Sequence, residues 1–243
     1  MSEVLTNPYR FAVDDCTYES DTEFTDWVLD YAITSGKIQA NVDIGNLNNG
    51  SSGYYDLTTA NVSATNWILR FQWNLENVTQ DSSAPCVIGC GLYSGSGSAG
   101  SSGSNDGSWS PTQDIAVIFA SAESSATYFQ TCTGSSASNF YSGVARSNLK
   151  QDQDIPDSYY LTINRYDSSG TDTIDYSYTA NSDYTTNAVT VSVTNASIAP
   201  LSLPSDLRYI KIESWQHSSS NGSGIDSTVE NIKYNNSSSN PCP

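Results

Sequence analysis

Over residues 66–77 the chain alternates at period two, with Trp67, Leu69, Phe71, Trp73 and Leu75 interleaved by Ile68, Arg70, Gln72, Asn74 and Glu76. Successive side chains of a strand point to opposite faces, so this spacing gathers the bulky residues on one side. A helix would scatter them around its axis. The segment predicts a long strand with one face in a core and the other in water, and it excludes any fold without a sheet packed on one side.

The same alternation returns in Tyr159, Leu161 and Ile163, in Val189, Val191 and Val193, and in Leu207 and Tyr209 with Ile210 and Ile212 on the opposite face. Further strand-like runs lie at 37–44, 86–93, 114–120, 127–132, 173–178 and 225–234, and no window carries a helical period. Asn49-Gly50, Ser169-Gly170 and Asn221-Gly222 mark turns between them. Many short strands without helical crossovers predict an all-β, two-sheet antiparallel sandwich. Residues 94–112, SGSGSAGSSGSNDGSWSPT, are too rich in Gly and Ser to bury a core. Strand periodicity resumes directly afterwards, so the expectation is one domain over 1–243, with a core at about 11–235, a long surface loop and a polar tail at 236–243.

Nine Lys and Arg against 26 Asp and Glu give a net charge of −17. Such a surface repels phosphate backbones and anionic lipid, so nucleic acid is not an expected partner. No apolar run is long enough to insert in a bilayer, and the first fifteen residues lack the basic and apolar regions of a signal peptide. The expectation is a protein that acts on a cell or virion surface or elsewhere outside the cell, reaching it without such a peptide.

The five cysteines, Cys16, Cys86, Cys90, Cys132 and Cys242, match no zinc spacing, and the chain has a single histidine. Cys86 and Cys90 share a strand face but lie about 13 Å apart along it, beyond disulfide reach. Two readings stand: a bridge from Cys132 on a neighbouring strand to Cys86 or Cys90, and buried free thiols acting as small hydrophobes.

Read as a frame, the chain runs from Asp14-Asp15-Cys16-Thr17 and Trp27 through Tyr55-Asp56-Leu57 and Trp67-Ile68-Leu69-Arg70-Phe71. It closes with Leu207-Arg208-Tyr209-Ile210-Lys211-Ile212 and Thr228-Val229-Glu230-Asn231-Ile232-Lys233-Tyr234-Asn235. These blocks resemble the concanavalin A-like lectin/glucanase superfamily, in particular the laminin-G-like jelly-roll modules of microbial, archaeal and viral surface proteins. The resemblance implies a jelly roll with adjacent terminal strands, and one of four roles: lectin, carbohydrate-binding module, glucanase or structural module. The chain departs from the pattern at Glu230-Asn231, where such modules carry an Asp pair, and at Cys16, where they carry an aromatic.

Retaining glucanases place carboxylates on alternate strand positions, a spacing that Glu19, Asp21 and Glu23 reproduce. The surrounding Ser, Thr and Asp give no apolar frame to raise a pKa, so a solvated acidic turn is the expectation and no residue is assigned a catalytic role. His217, in a polar turn, has no nucleophile in view. Calcium, a hard cation that takes oxygen ligands, is the expected cofactor if there is one. Its candidate ligands are Asp14, Asp15, Asp226 and Glu230, where terminal strands would meet, and Asp152, Asp154 and Asp157 before a strand. Sugar recognition calls for aromatic platforms beside amides, which points to Trp109 in the long loop and to Trp215 with Gln216 and His217. The resulting expectation is a non-enzymatic surface module, a structural or decoration subunit of a virion or extracellular assembly in many copies, its partners glycans or other subunits. A soluble lectin is the alternative, and a glucanase the less favoured one.

Overall fold

The computed structural model describes residues 27–29, 31–40, 51–57, 62–79, 86–95, 114–122, 126–134, 148–152, 158–194, 206–216 and 224–236. The strands are β1 (Val28–Leu29), β2 (Ile33–Thr34), β3 (Lys37–Gln39), β4 (Ser51–Asp56), β5 (Trp67–Thr79), β6 (Cys86–Tyr93) and β7 (Asp114–Ala122). They continue with β8 (Ala126–Gly134), β9 (Asn148–Asp152), β10 (Ser158–Ser168), β11 (Thr171–Thr179), β12 (Val189–Thr194), β13 (Tyr209–Gln216) and β14 (Gly224–Asn235). No helix occurs among the described residues. The runs expected from periodicity are strands, most of them extended at their ends; of the run at 37–44 the strand covers Lys37–Gln39, and residues 41–44 lie outside the described residues.

The strands form two seven-stranded antiparallel sheets. The first has the order β1-β4-β13-β6-β7-β8-β9 and the second β12-β11-β10-β5-β14-β3-β2. The late strand β14 lies between β5 and the early strand β3, so an early and a late segment of the described residues meet in the second sheet. The jelly-roll sandwich expected from the sequence is the observed architecture.

Trp67, Leu69, Phe71 and Trp73 of β5 are fully buried and Leu75 nearly so. They pack with Leu161 and Ile163 of β10, Ile174 and Tyr176 of β11, and Val229, Ile232 and Tyr234 of β14. Ile88, Cys90 and Leu92 of β6, Ile115 and Val117 of β7, and Ile210 and Ile212 of β13 face them from the first sheet. Each such side chain removed from water contributes roughly 1.5–3 kcal/mol, which makes this seam the main source of stability. Leu207 joins the same core although it was expected opposite Ile210, because it precedes β13 and escapes the strand's alternation. Tyr209 does point away and packs edge-on against Tyr54 at 5.4 Å. Arg165 is buried on the core side, where its Nε and Nη2 donate to the two carboxylate oxygens of Asp172 at 3.0 and 2.5 Å. That two-point pairing makes a buried cation tolerable.

Between β10 and β11 the chain reverses at Ser169 and Gly170, with φ of 56° and 85°. Two consecutive positive φ values match the right-handed twist of the flanking strands, which is why a hairpin this tight needs a glycine.

The expected bridge from Cys132 does not survive the strand order. β7 lies between β6 and β8, which puts Cys132 two strands, or roughly 9–10 Å, from Cys90 and further still from Cys86, five residues along β6 from the level of Cys132. Cys90 is a fully buried free thiol, and burial pushes its pKa up. For Cys90 the small-hydrophobe reading holds.

Candidate functional site

The wet face of β5 continues across the second sheet and divides into two halves. Toward the C-terminal end of β5, Asn74 accepts from Gln72 Nε2 at 2.8 Å and from Ser158 Oγ at 2.6 Å. Its own amide donates to Thr228 Oγ1 at 2.9 Å and to Glu230 Oε1 at 2.6 Å. Asn231 Nδ2 donates to Gln72 Oε1 at 2.7 Å, and Lys37 Nζ lies 2.8 Å from Glu230 Oε1. This half is a closed network over β10, β5, β14 and β3, in which donors and acceptors answer one another.

Toward the N-terminal end of β5 stands Arg70, only 5% exposed. Thr162 of β10 is its partner on one side and Lys233 of β14 on the other. Lys233 reaches this face because β14 bulges: Glu230 pairs with Gln72 and Lys233 with Arg70, so Asn231 and Ile232 together oppose Phe71. Asn231 takes the left-handed conformation, φ 52°, that asparagine tolerates at such a bulge. Burial and the neighbouring Arg70 charge pull the Lys233 pKa down.

Over Arg70 lies the segment joining β11 to β12. The Tyr184 ring centroid is 5.0 Å from Arg70 Cζ, and its edge meets Tyr160 at 5.3 Å. Tyr184 has φ 62° and is buried. Its strained backbone is held by Asp183, whose carboxylate accepts from Thr186 Oγ1 at 2.5 Å and from the amides of Thr185 and Thr186 at 2.9 and 2.8 Å. Those bonds, led by the Thr186 hydroxyl, hold the Asp183 pKa at about 2. The Thr186 carbonyl closes the turn by accepting from Thr179 Oγ1 and Asn181 Nδ2 at 2.6 and 2.9 Å.

What sets this half apart is what its polar groups lack. Arg70 Nε, Thr162 Oγ1 and Asn164 Oδ1 are buried with no hydrogen-bond partner. Arg208 pairs with Asp56 at 2.6 Å, Lys211 with Glu213 at 2.6 Å, Arg165 with Asp172 and Lys37 with Glu230. Among the described residues Arg70 has no carboxylate partner; its only close partner is an aromatic ring. Desolvation pulls its pKa down. Burying a cation without a counter-ion is costly, so the arrangement is poised for an acceptor from outside. The outward face of the first sheet differs: buried Lys211 is answered by Glu213 and by the Tyr93 ring at 4.8 Å.

The site residues expected from sequence fall elsewhere. Trp109, His217, Asp14, Asp15, Asp154 and Asp157 lie outside the described residues, as do Glu19, Asp21 and Glu23. Trp215 and Gln216 end β13, opposite Val87 and Cys86. Asp152 ends β9 in the first sheet, apart from Asp226 and Glu230 on β14 in the second. Asp226 and Glu230 do share a strand, but Glu230 is already engaged by Lys37 and Asn74. No group of three or more His, Cys, Asp or Glu residues placed to hold a metal ion occurs among the described residues. The Arg70 cluster was not foreseen. Its only sequence signal is an arginine on the wet face of the longest described strand.

No protein-family model matches the sequence, and no curated protein matches it. Solved structures do match. A legume lectin-like domain from Entamoeba histolytica superposes with a TM-score of 0.53 at 10% identity, covering 86% of this chain and 88% of that one. Peanut lectin bound to a nine-residue peptide gives 0.48 at 14% identity, covering 88% and 96%. The CBM2 module of an evolved Dit protein from Lactobacillus casei BL23 phage J-1 gives 0.42 at 11% identity, covering 84% and 79%. At 10% identity the likeness to the Entamoeba histolytica domain speaks for architecture, and the chain has the concanavalin A-like jelly-roll fold of a legume lectin-like domain.

Proposed function

We propose that this chain is a non-enzymatic glycan-binding module that works outside the cell, on a cell or virion surface, and that it takes sugar on the outward face of the second sheet around Arg70. The observation that carries the reading is the set of buried polar groups without partners, Arg70 Nε, Thr162 Oγ1 and Asn164 Oδ1, beside the half-buried rings of Tyr160 and Tyr166. Sugars offer hydroxyls in both donor and acceptor sense together with apolar faces that stack on aromatic rings. The lectin-like fold is compatible with this role and does not specify it. The test is a glycan array probed with the whole chain and with Tyr160→Ala. Selective retention by the wild type, weakened about tenfold in the variant, supports the site. Retention of no glycan overturns the function, and unchanged retention by Tyr160→Ala overturns the location.

A second reading, a multi-copy structural or decoration subunit of a virion or extracellular assembly, is favoured by one observation. Among the described residues the two exposed large hydrophobics, Val28 at 56% and Val189 at 45%, lie on β1 and β12, each at the end of its sheet's order. Such edges invite pairing with another copy unless they are guarded. Sedimentation over a concentration series decides it: concentration-dependent association abolished by Val189→Lys supports a subunit, and a monomer throughout removes it.

A further inference from the structure

The polar groups around Arg70 are unequal in what they ask of a ligand. Thr162 Oγ1 would accept or donate and Asn164 Oδ1 would accept a single hydrogen bond, which any sugar hydroxyl satisfies. Arg70 is different: a residue only 5% exposed, it carries a planar cationic fork with Nε buried and unpartnered and no carboxylate beside it among the described residues. The chain pairs its other described arginines with carboxylates by the same two-point geometry. Arg165 meets Asp172 through Nε and Nη2, and Arg208 meets Asp56 at 2.7 and 2.6 Å. Lys233 opposes Arg70 across the neighbouring strand, so two cations flank the same position. The Tyr184 ring lies over the fork at 5.0 Å, and Glu230 is already held by Lys37 and Asn74.

We infer that the bound glycan carries a carboxylate, as a uronic or sialic acid does, and that Arg70 takes this group as a two-point partner with Lys233 as the second cation; the inference rests on the glycan-binding reading above. The net charge of −17 does not oppose it. Screening at physiological salt confines the general acidity to about 8 Å, while the contact with Arg70 is made in a desolvated setting where charge counts for more. The same acidity does exclude long polyanions, so the ligand is a sugar with one acidic group rather than a highly sulfated chain or a nucleic acid.

The experiment titrates the whole chain with a glucuronic acid-terminated disaccharide, an N-acetylneuraminic acid-terminated trisaccharide and the neutral methyl esters of both, by calorimetry or by following amide shifts. The expected result is an acid that binds about tenfold to a hundredfold more tightly than its ester, as a charge-assisted pair predicts. That preference collapses in Arg70→Met, and Arg70→Lys, which keeps the charge but not the fork, restores only part of it. A melting temperature within a few degrees of wild type shows that the variants fold. Equal binding of acid and ester by the wild type overturns the inference and leaves the glycan site standing. Binding of neither acid nor ester, with selective retention on the array, also overturns the inference alone. Retention of no glycan by either method overturns both readings.

Discussion

The two halves of the outward face of the second sheet are made from the same materials and behave in opposite ways. In one, Gln72, Asn74, Thr228, Glu230, Asn231 and Lys37 spend their hydrogen bonds on each other. In the other, two residues further back along β5, Arg70, Thr162 and Asn164 leave theirs unmade. A satisfied network favours stability and resists new partners; an unsatisfied one lowers stability and invites them. The comparison separates what this sheet does for the fold from what it offers a ligand.

The sharpest way to break the comparison is Asn74→Ala. It strips bonds from Gln72, Ser158, Thr228 and Glu230 together, and the expected loss is about 2–3 kcal/mol in chemical denaturation with no change in acidic-sugar binding. Arg70→Met should do the reverse. Removing a buried cation that lacks a counter-ion relieves desolvation while keeping apolar bulk, so stability should stay within about 1 kcal/mol of wild type or rise, while binding of the acid is lost. A loss of more than about 2 kcal/mol there would mean that Arg70 is structural after all. Lys37→Met tests the rim of the closed network. Its ion pair is partly exposed, 37% and 16%, so about 0.5 kcal/mol is expected, shrinking with added salt.

The smallest effect concerns the turn over Arg70. Asp183 has a folded pKa of about 2, below its ordinary value, so its contribution is present above the unfolded pKa near 3.9 and is lost as pH falls through the folded value. Between about pH 4 and 2, amide exchange at Thr185 and Thr186 should therefore quicken before the sheets open. Asp183→Ala should show the same fast exchange at neutral pH. Protection that is unchanged in that variant would show the turn to be held by Thr179 and Asn181 instead.

β5 was legible because its whole pattern is local: period two with aromatics on one side needs no knowledge of neighbours. The free state of Cys90 was not legible, since it depends on β7 standing between β6 and β8, and strand order is absent from periodicity. Arg70 could be placed on the wet face, but its burial comes from Tyr184, more than a hundred residues later in a turn of Ser, Asp, Thr and Asn that carries no apolar signal. Lys233 was misleading by position, because uninterrupted alternation from Val229 would send it into the core. The aromatic rule for sugar sites drew attention to Trp109 and Trp215, while the tyrosines gathered about Arg70 stand on β10 and the turn after β11.

The bulge at Asn231 has a bearing on how β14 finds its place. Ahead of it, the side chains that enter the core fall on odd positions such as Val229; beyond it they fall on even ones, Ile232 and Tyr234. A uniform strand sliding by one residue exchanges its two faces in a single stroke, which the buried core face of β14 already opposes. A strand that changes phase midway has no alternative alignment in which both segments are content, because every shift that suits one buries the wrong side chains of the other. The extra residue therefore acts as a detent. It fixes the last long strand in one setting against β5, and that setting brings Lys233 to Arg70.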